Sequence, residues 1–76
     1  SMTARTISKI ICRDPEIMGG RPVFRGTRVP IDVVFDNLAD GLSLDEILRE
    51  YPTLERDDVV CLLHEAPSAL LVSDAA

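Results

Sequence analysis

A small, mainly α fold, three helices behind an N-terminal β-arm, is predicted for this chain of 76 residues. Three observations predict it. From Pro30 onward, apolar residues recur at i, i+3, i+4 and i+7 in three successive segments, which sets them on one face of each helix. The second and third segments are separated by only about four residues, the spacing of a helix-turn-helix. Ahead of them, Gly19–Pro30 (GGRPVFRGTRVP) crowds glycine, proline and arginine together. Glycine opens backbone angles that other residues resist and proline fixes φ, so this stretch reads as a short, rigid extended piece between tight turns.

The elements follow in order. Ile7–Cys12 (ISKIIC) is β-prone, though it alternates imperfectly, and reads as a short strand. Asp14-Pro15 starts a turn, because aspartate bonds to the backbone ahead of it and proline presets φ, and Gly19-Gly20 closes it. Val23-Phe24 and Arg28-Val29 read as two strand pieces around a Gly26-Thr27 turn. Pro30 suits a first helical turn, where its missing N–H is no loss. Helix one then carries Ile31, Val34, Phe35 and Leu38, with Gly41 at its C-terminal cap. Helix two opens at Ser43 with Glu46 three residues on, a capping box. Its apolar face is Leu44, Ile47, Leu48 and Tyr51, and Pro52 stops it. Helix three carries Val59, Leu62, Leu63 and Ala66. Glu55, Asp57 and Asp58 lie in or near its first turn, where the helix dipole favours them, and Pro67 ends or kinks it. Ser68–Ala76 is a last helical turn or two, or a frayed terminus. The expected organisation is one domain over 1–76: β-arm and turns over 1–29, a three-helix bundle over 30–66, and a C-terminal tail over 67–76.

Composition narrows the class. The chain is 46% apolar but has only three aromatic residues, Phe24, Phe35 and Tyr51. A domain this short supports a small core, so the aliphatic surplus points to burial against a second copy. No apolar run is long enough for a membrane span, and no basic segment leads into an apolar one as in a signal peptide. Ser1 ahead of Met2 reads as the remnant of a cleaved tag. Cys12 and Cys61, far apart, read as reduced thiols of a cytoplasmic protein rather than a disulfide. The net charge of −5 hides a split: the chain is +4 up to Pro30 and −9 from Ile31 onward. Such asymmetry points to two surfaces with different partners, to one subunit's basic arm on another's acidic body, or simply to two solvated faces.

Recognition chemistry concentrates in Arg13, Arg21, Arg25 and Arg28. Arginine's fork suits carboxylate and phosphate alike, so two readings stand: ion pairs with helix one, for which Arg28 and Asp32 are the obvious pair, or contact with nucleic acid. Helix three is a poor major-groove reader, because Glu55, Asp57, Asp58 and Glu65 face a single Arg56 and would repel a polyanion. DNA binding would therefore fall to the arm, eight positive charges in a dimer. Asp32, Asp36 and Asp40 form an acidic stripe on helix one. They spread over about 12 Å and do not converge on one cation, so a basic surface is the natural complement and a solvated face the plain alternative.

Catalysis has little support. Cys61 and His64 supply half of a zinc motif with no second close pair, and no third group activates Cys61 as a nucleophile. The glycines lack phosphate-loop spacing. No catalytic residue, metal ligand or cofactor is expected, and the chain reads as a non-enzyme.

The phrase DPEIMGGRPVFRGTRVP over Asp14–Pro30, followed by Gly41-Leu42-Ser43 and Tyr51-Pro52, resembles domain-of-unknown-function family 433, from about Ile10 to Ala66. The resemblance implies a homeodomain-like three-helix helix-turn-helix protein with an N-terminal β-arm, and a homodimer. It also implies a bacterial antitoxin role, binding and neutralising a PIN-like ribonuclease toxin, with autoregulatory DNA binding as a companion activity. On that reading the apolar tail residues Leu70, Leu71 and Val72 are the toxin-docking candidates. The alternative is a dimeric helix-turn-helix transcriptional regulator that uses the arginine arm. Two departures stand out: Glu55-Arg56 occupies the place where the family's third helix opens after Thr, Ser or Asp, and the likeness fades beyond Ala66.

Overall fold

The computed structural model describes the backbone of residues 4–75 and the side chains of residues 7–65. Among these residues are four α-helices, α1 (Ala4–Ile10), α2 (Ile31–Ala39), α3 (Leu44–Glu50) and α4 (Arg56–Ala75). The strands β1 (Ile11–Cys12) and β2 (Val23–Phe24) form a small antiparallel sheet between α1 and α2. The chain is thus mainly helical with an N-terminal β-arm, as expected, but the arm is preceded by a helix.

That helix replaces most of the strand expected over Ile7–Cys12. The imperfect alternation has a physical cause: Ile7, Ile10 and Ile11 stand at helical i, i+3, i+4 spacing, and a helix turns Ile7 and Ile10 onto the core together. A seven-residue helix is marginal alone, so α1 depends on its packing against α4 and on how its end is capped. The chain becomes extended only at Ile11, which pairs with Phe24 while Cys12 pairs with Val23.

Between the strands, Asp14 makes the expected turn: its Oδ1 accepts the Glu16 N–H at 2.9 Å. After β2 the chain doubles back. The Phe24 N–H donates to the Val29 carbonyl at 3.0 Å, and Gly26, at φ 82°, supplies the left-handed residue of the turn. Thr27 closes this turn from inside, its hydroxyl donating to the Phe24 carbonyl at 2.7 Å and accepting the Val29 N–H at 3.0 Å. Arg28-Val29 is not a strand; the bridge falls one residue later, at Val23 and Pro30. Pro30 is not in the first turn of α2 but is its extended N-cap residue, and it is buried.

The caps of α2 and α3 follow the sequence closely. The Gly41 N–H donates to Leu38 and the Leu42 N–H to Asn37, a Schellman closure that requires the φ of 97° at Gly41. The Ser43 Oγ accepts the Glu46 N–H at 3.1 Å while Glu46 Oε1 accepts the Ser43 N–H at 2.8 Å, a complete capping box. Residues 51–55 connect α3 to α4, and the Glu55 carbonyl accepts the N–H groups of Asp58 and Val59 in the first turn of α4. A side-chain cap is dispensable here because α4 is long and anchored by packing.

Pro67 does not end this last helix. The backbone of α4 continues through it to Ala75. Proline removes one donor, to the Leu63 carbonyl, but the residues beyond it, rich in alanine and leucine, favour helix enough to carry on. The segment 67–76 is therefore helical to Ala75.

The core gathers Ile10, Phe24, Val29, Val34, Ile47, Leu54, Val59, Cys61 and Leu62, drawn from all four helices, β2 and the connecting segments, while Ile11 of β1 packs against it half-buried. On α4 the inward positions are Val59, Cys61 and Leu62. Leu63, expected on the apolar face, is instead 39% exposed.

Candidate interaction surface

The four arginines of the arm have separate fates. Arg21 pairs with Asp32 across eleven residues, its Nη2 donating to Oδ1 at 3.0 Å and Oδ2 at 3.1 Å. The expected Arg28–Asp32 pair is not formed. Asp32 lies in the first turn of α2 and faces the end of the 3₁₀ turn, where Arg21 begins the run into β2, whereas Arg28 is carried away on the hairpin turn. Both partners are largely solvated, so this bridge positions the arm more than it stabilises it.

Arg25 is spent on backbone. Its Nε donates to the Lys9 carbonyl at 2.8 Å, and its Nη2 to the carbonyls of Ser8 at 3.1 Å and Ile11 at 2.9 Å. Its own N–H takes the Ile10 carbonyl. The carbonyls of Ser8, Lys9 and Ile10 are orphan acceptors at the C-terminus of α1, and that of Ile11 lies just beyond it, so the guanidinium caps that helix and meets the negative end of its dipole. No side-chain motif foretells this role, because carbonyl acceptors leave no mark on the residues that bear them.

Arg13 and Arg28 are exposed and have no ion pair among the described residues. Arg13 lines an open groove of about 400 Å³ between β1 and α2, whose other lining residues are Ile11, Pro22, Ile31, Asp32 and Phe35. Ile31 and Phe35 are one turn apart on α2 and pack against the core as the sequence places them, but they are only half-buried and also line the groove. Pro22 and Ile11 as groove walls escape sequence reasoning altogether, since they come together only when β1 and β2 pair.

The acidic side is spread over the helices. Asp32 is met by Arg21, while Asp36 and Asp40 are exposed and have no ion pair among the described residues. Arg56 at the start of α4 pairs with Asp45 at the start of α3, tying the two helix N-termini together. The Glu46 carboxyl is held below its ordinary pKa, chiefly by the Ser43 backbone N–H it accepts. Cys61 and His64 part company: the thiol is buried, the imidazole exposed. Burial pushes the Cys61 thiol up, and the carboxylates of Glu65 and Asp58 add to the effect. Among the described residues no three His, Cys, Asp or Glu side chains are grouped to hold a metal ion, and no helix is long and apolar enough to cross a membrane. The side chains of Leu70, Leu71 and Val72 lie outside the described residues.

Comparisons with known proteins converge on one family. The family model described as "Protein of unknown function (DUF433)" matches residues 11–65. An uncharacterised protein of Sinorhizobium fredii, y4eO, is 39% identical over 51 residues; the match covers 67% of this chain and only 23% of that protein's length. The crystal structure of a DUF433 member protein from Anabaena variabilis superposes with a TM-score of 0.68 at 24% identity, covering 95% of this chain and 71% of that one. At that identity the likeness establishes the fold.

Proposed function

We propose that this chain, which belongs to the DUF433 family, is an antitoxin-like interaction module that acts as a homodimer to bind and neutralise a PIN-like ribonuclease. The observation that carries this reading is the length of α4. It runs for 20 residues, and its last buried residue among those described is Leu62. The remainder of the helix bears the apolar run Ala69-Leu70-Leu71-Val72 in its sequence. An apolar stretch carried near the end of a long helix is suited to lie in the groove of a partner.

DNA binding is the second reading, and the arm's internal contacts count against it. Arg21 and Arg25 already satisfy Asp32 and the end of α1, which leaves Arg13 and Arg28 for phosphate. The first turn of α4 holds Asp57 and Asp58, which oppose a polyanion.

Affinity capture from lysate of the source cell, with and without added nuclease, followed by mass spectrometry, tests the reading. A small ribonuclease that survives nuclease treatment is expected, and its cleavage of RNA should fall stoichiometrically as this chain is added. Recovery of nucleic-acid-dependent partners alone would overturn neutralisation as the main activity.

A further inference from the structure

We propose that the groove between β1 and α2 is the contact between two copies of this chain, with Arg13 of each copy meeting Asp36 of the other. The inference rests on the homodimeric part of the reading above and assigns it a surface.

The groove has apolar walls of Ile11, Pro22, Ile31 and Phe35. Its charges are unequal in their commitments. Asp32 lines it but is already met by Arg21, whereas Arg13 lines it with no ion pair among the described residues. On the helix wall the next carboxylate is Asp36, one turn beyond Asp32 on the same face of α2, exposed and likewise without an ion pair among the described residues. One apolar patch is therefore flanked by an unmatched cation from the arm and an unmatched anion from the helix.

That pattern is self-complementary. A two-fold axis through the patch superposes the apolar walls of two copies and brings each arm to the other copy's helix, satisfying both charges twice over. The overall charge split, +4 before Ile31 and −9 from it onward, favours the same pairing of arm with body. The half-buried Ile31 and Phe35 gain the cover that a small core leaves them without. A partner of one charge sign, whether an acidic protein or a nucleic acid, would satisfy Arg13 and leave Asp36 unmet.

Sedimentation velocity across a concentration series tests the assignment on the full chain, with Arg13→Glu, Asp36→Lys and the two combined. Both residues are exposed, and far-UV circular dichroism checks that each variant stays folded. A wild-type dimer is expected whose Kd rises about tenfold in each single variant, since each reverses two modest surface ion pairs, and returns toward the wild-type value in the combination. A wild type that stays monomeric to millimolar concentration overturns the interface and the homodimeric part of the proposed function, while ribonuclease inhibition by the monomer would still uphold neutralisation. A dimer indifferent to both single variants overturns it as well. A dimer that obeys the charge exchange but inhibits no ribonuclease keeps this interface and removes the antitoxin reading instead.

Discussion

The Nε of Arg25 donates to the carbonyl oxygen of Lys9 at 2.8 Å, joining the tip of the hairpin turn to the end of the N-terminal helix sixteen residues earlier. With its companion bonds to Ser8 and Ile11, this contact makes α1 conditional on the arm. Arg25→Ala should leave those carbonyls without their charged donor and lower global stability by about 1–2 kcal/mol. Amide hydrogen exchange checks the locality: protection should fall at the C-terminal end of α1 and hold in α2 and α3. Arg25→Lys should recover little, because an ammonium lacks the fork that spans three acceptors.

Gly41 stands in the left-handed region with nothing within 4 Å of where a Cβ would sit. Its replacement therefore tests backbone strain without steric clash. Gly41→Ala should cost about 1 kcal/mol and Gly41→Asn less, read as shifts in the urea midpoint at an unchanged slope.

Ser43→Ala removes the acceptor of the Glu46 N–H and should destabilise the protein by about 1 kcal/mol. The pH dependence has a definite sign. The pKa of Glu46 is lowered on folding, so its contribution is fully present above the unfolded glutamate pKa and is lost as pH falls through the folded one. The stability gap between wild type and Glu46→Gln should be open at neutral pH and close in acid. A gap that widened in acid would contradict the capping geometry.

The two thiols should react unequally. Cys12 is half-buried, whereas Cys61 is 2% exposed and its thiol is pushed up by burial. A thiol-disulfide reagent at neutral pH should titrate one thiol readily in the native protein and the second only on denaturation. Mass spectrometry of the labelled peptide should find the first label on Cys12.

Arg13 and Arg28 bear the remaining weight of the DNA reading. If duplex DNA is bound through the arm, Arg13→Ala with Arg28→Ala should abolish a salt-sensitive affinity and flatten its salt dependence, as measured by fluorescence anisotropy. No change in binding to any duplex would remove the arm from nucleic-acid contact.

Much of this molecule is legible residue by residue. The capping box at Ser43, the Schellman closure at Gly41 and the inward faces of α2 and α3 follow from side-chain chemistry at spacings of three and four. Among the departures from it, three illustrate a different cause. Ile7–Cys12 has β-prone composition, and only its docking on the helical core made it mostly helix. Pro67 offers an end or a kink, and of these the end is not taken, since the helix runs on to Ala75. Arg28 is the arginine nearest Asp32 in sequence, yet the hairpin turn delivers Arg21 instead.

Local chemistry was sufficient wherever the partners of a group lie within one or two turns of the chain, because helix and turn geometry then fixes their distance. It set α2 and α3 with their caps, the start of α4, the turn at Asp14 and the uneven distribution of charge. Folding had to choose wherever partners are far apart in sequence and several candidates carry the same chemistry. It sent one arginine to a carboxylate, one to the end of a helix, and left two in solvent. Four guanidinium groups that sequence cannot tell apart were distinguished by where the paired strands and the hairpin turn placed them.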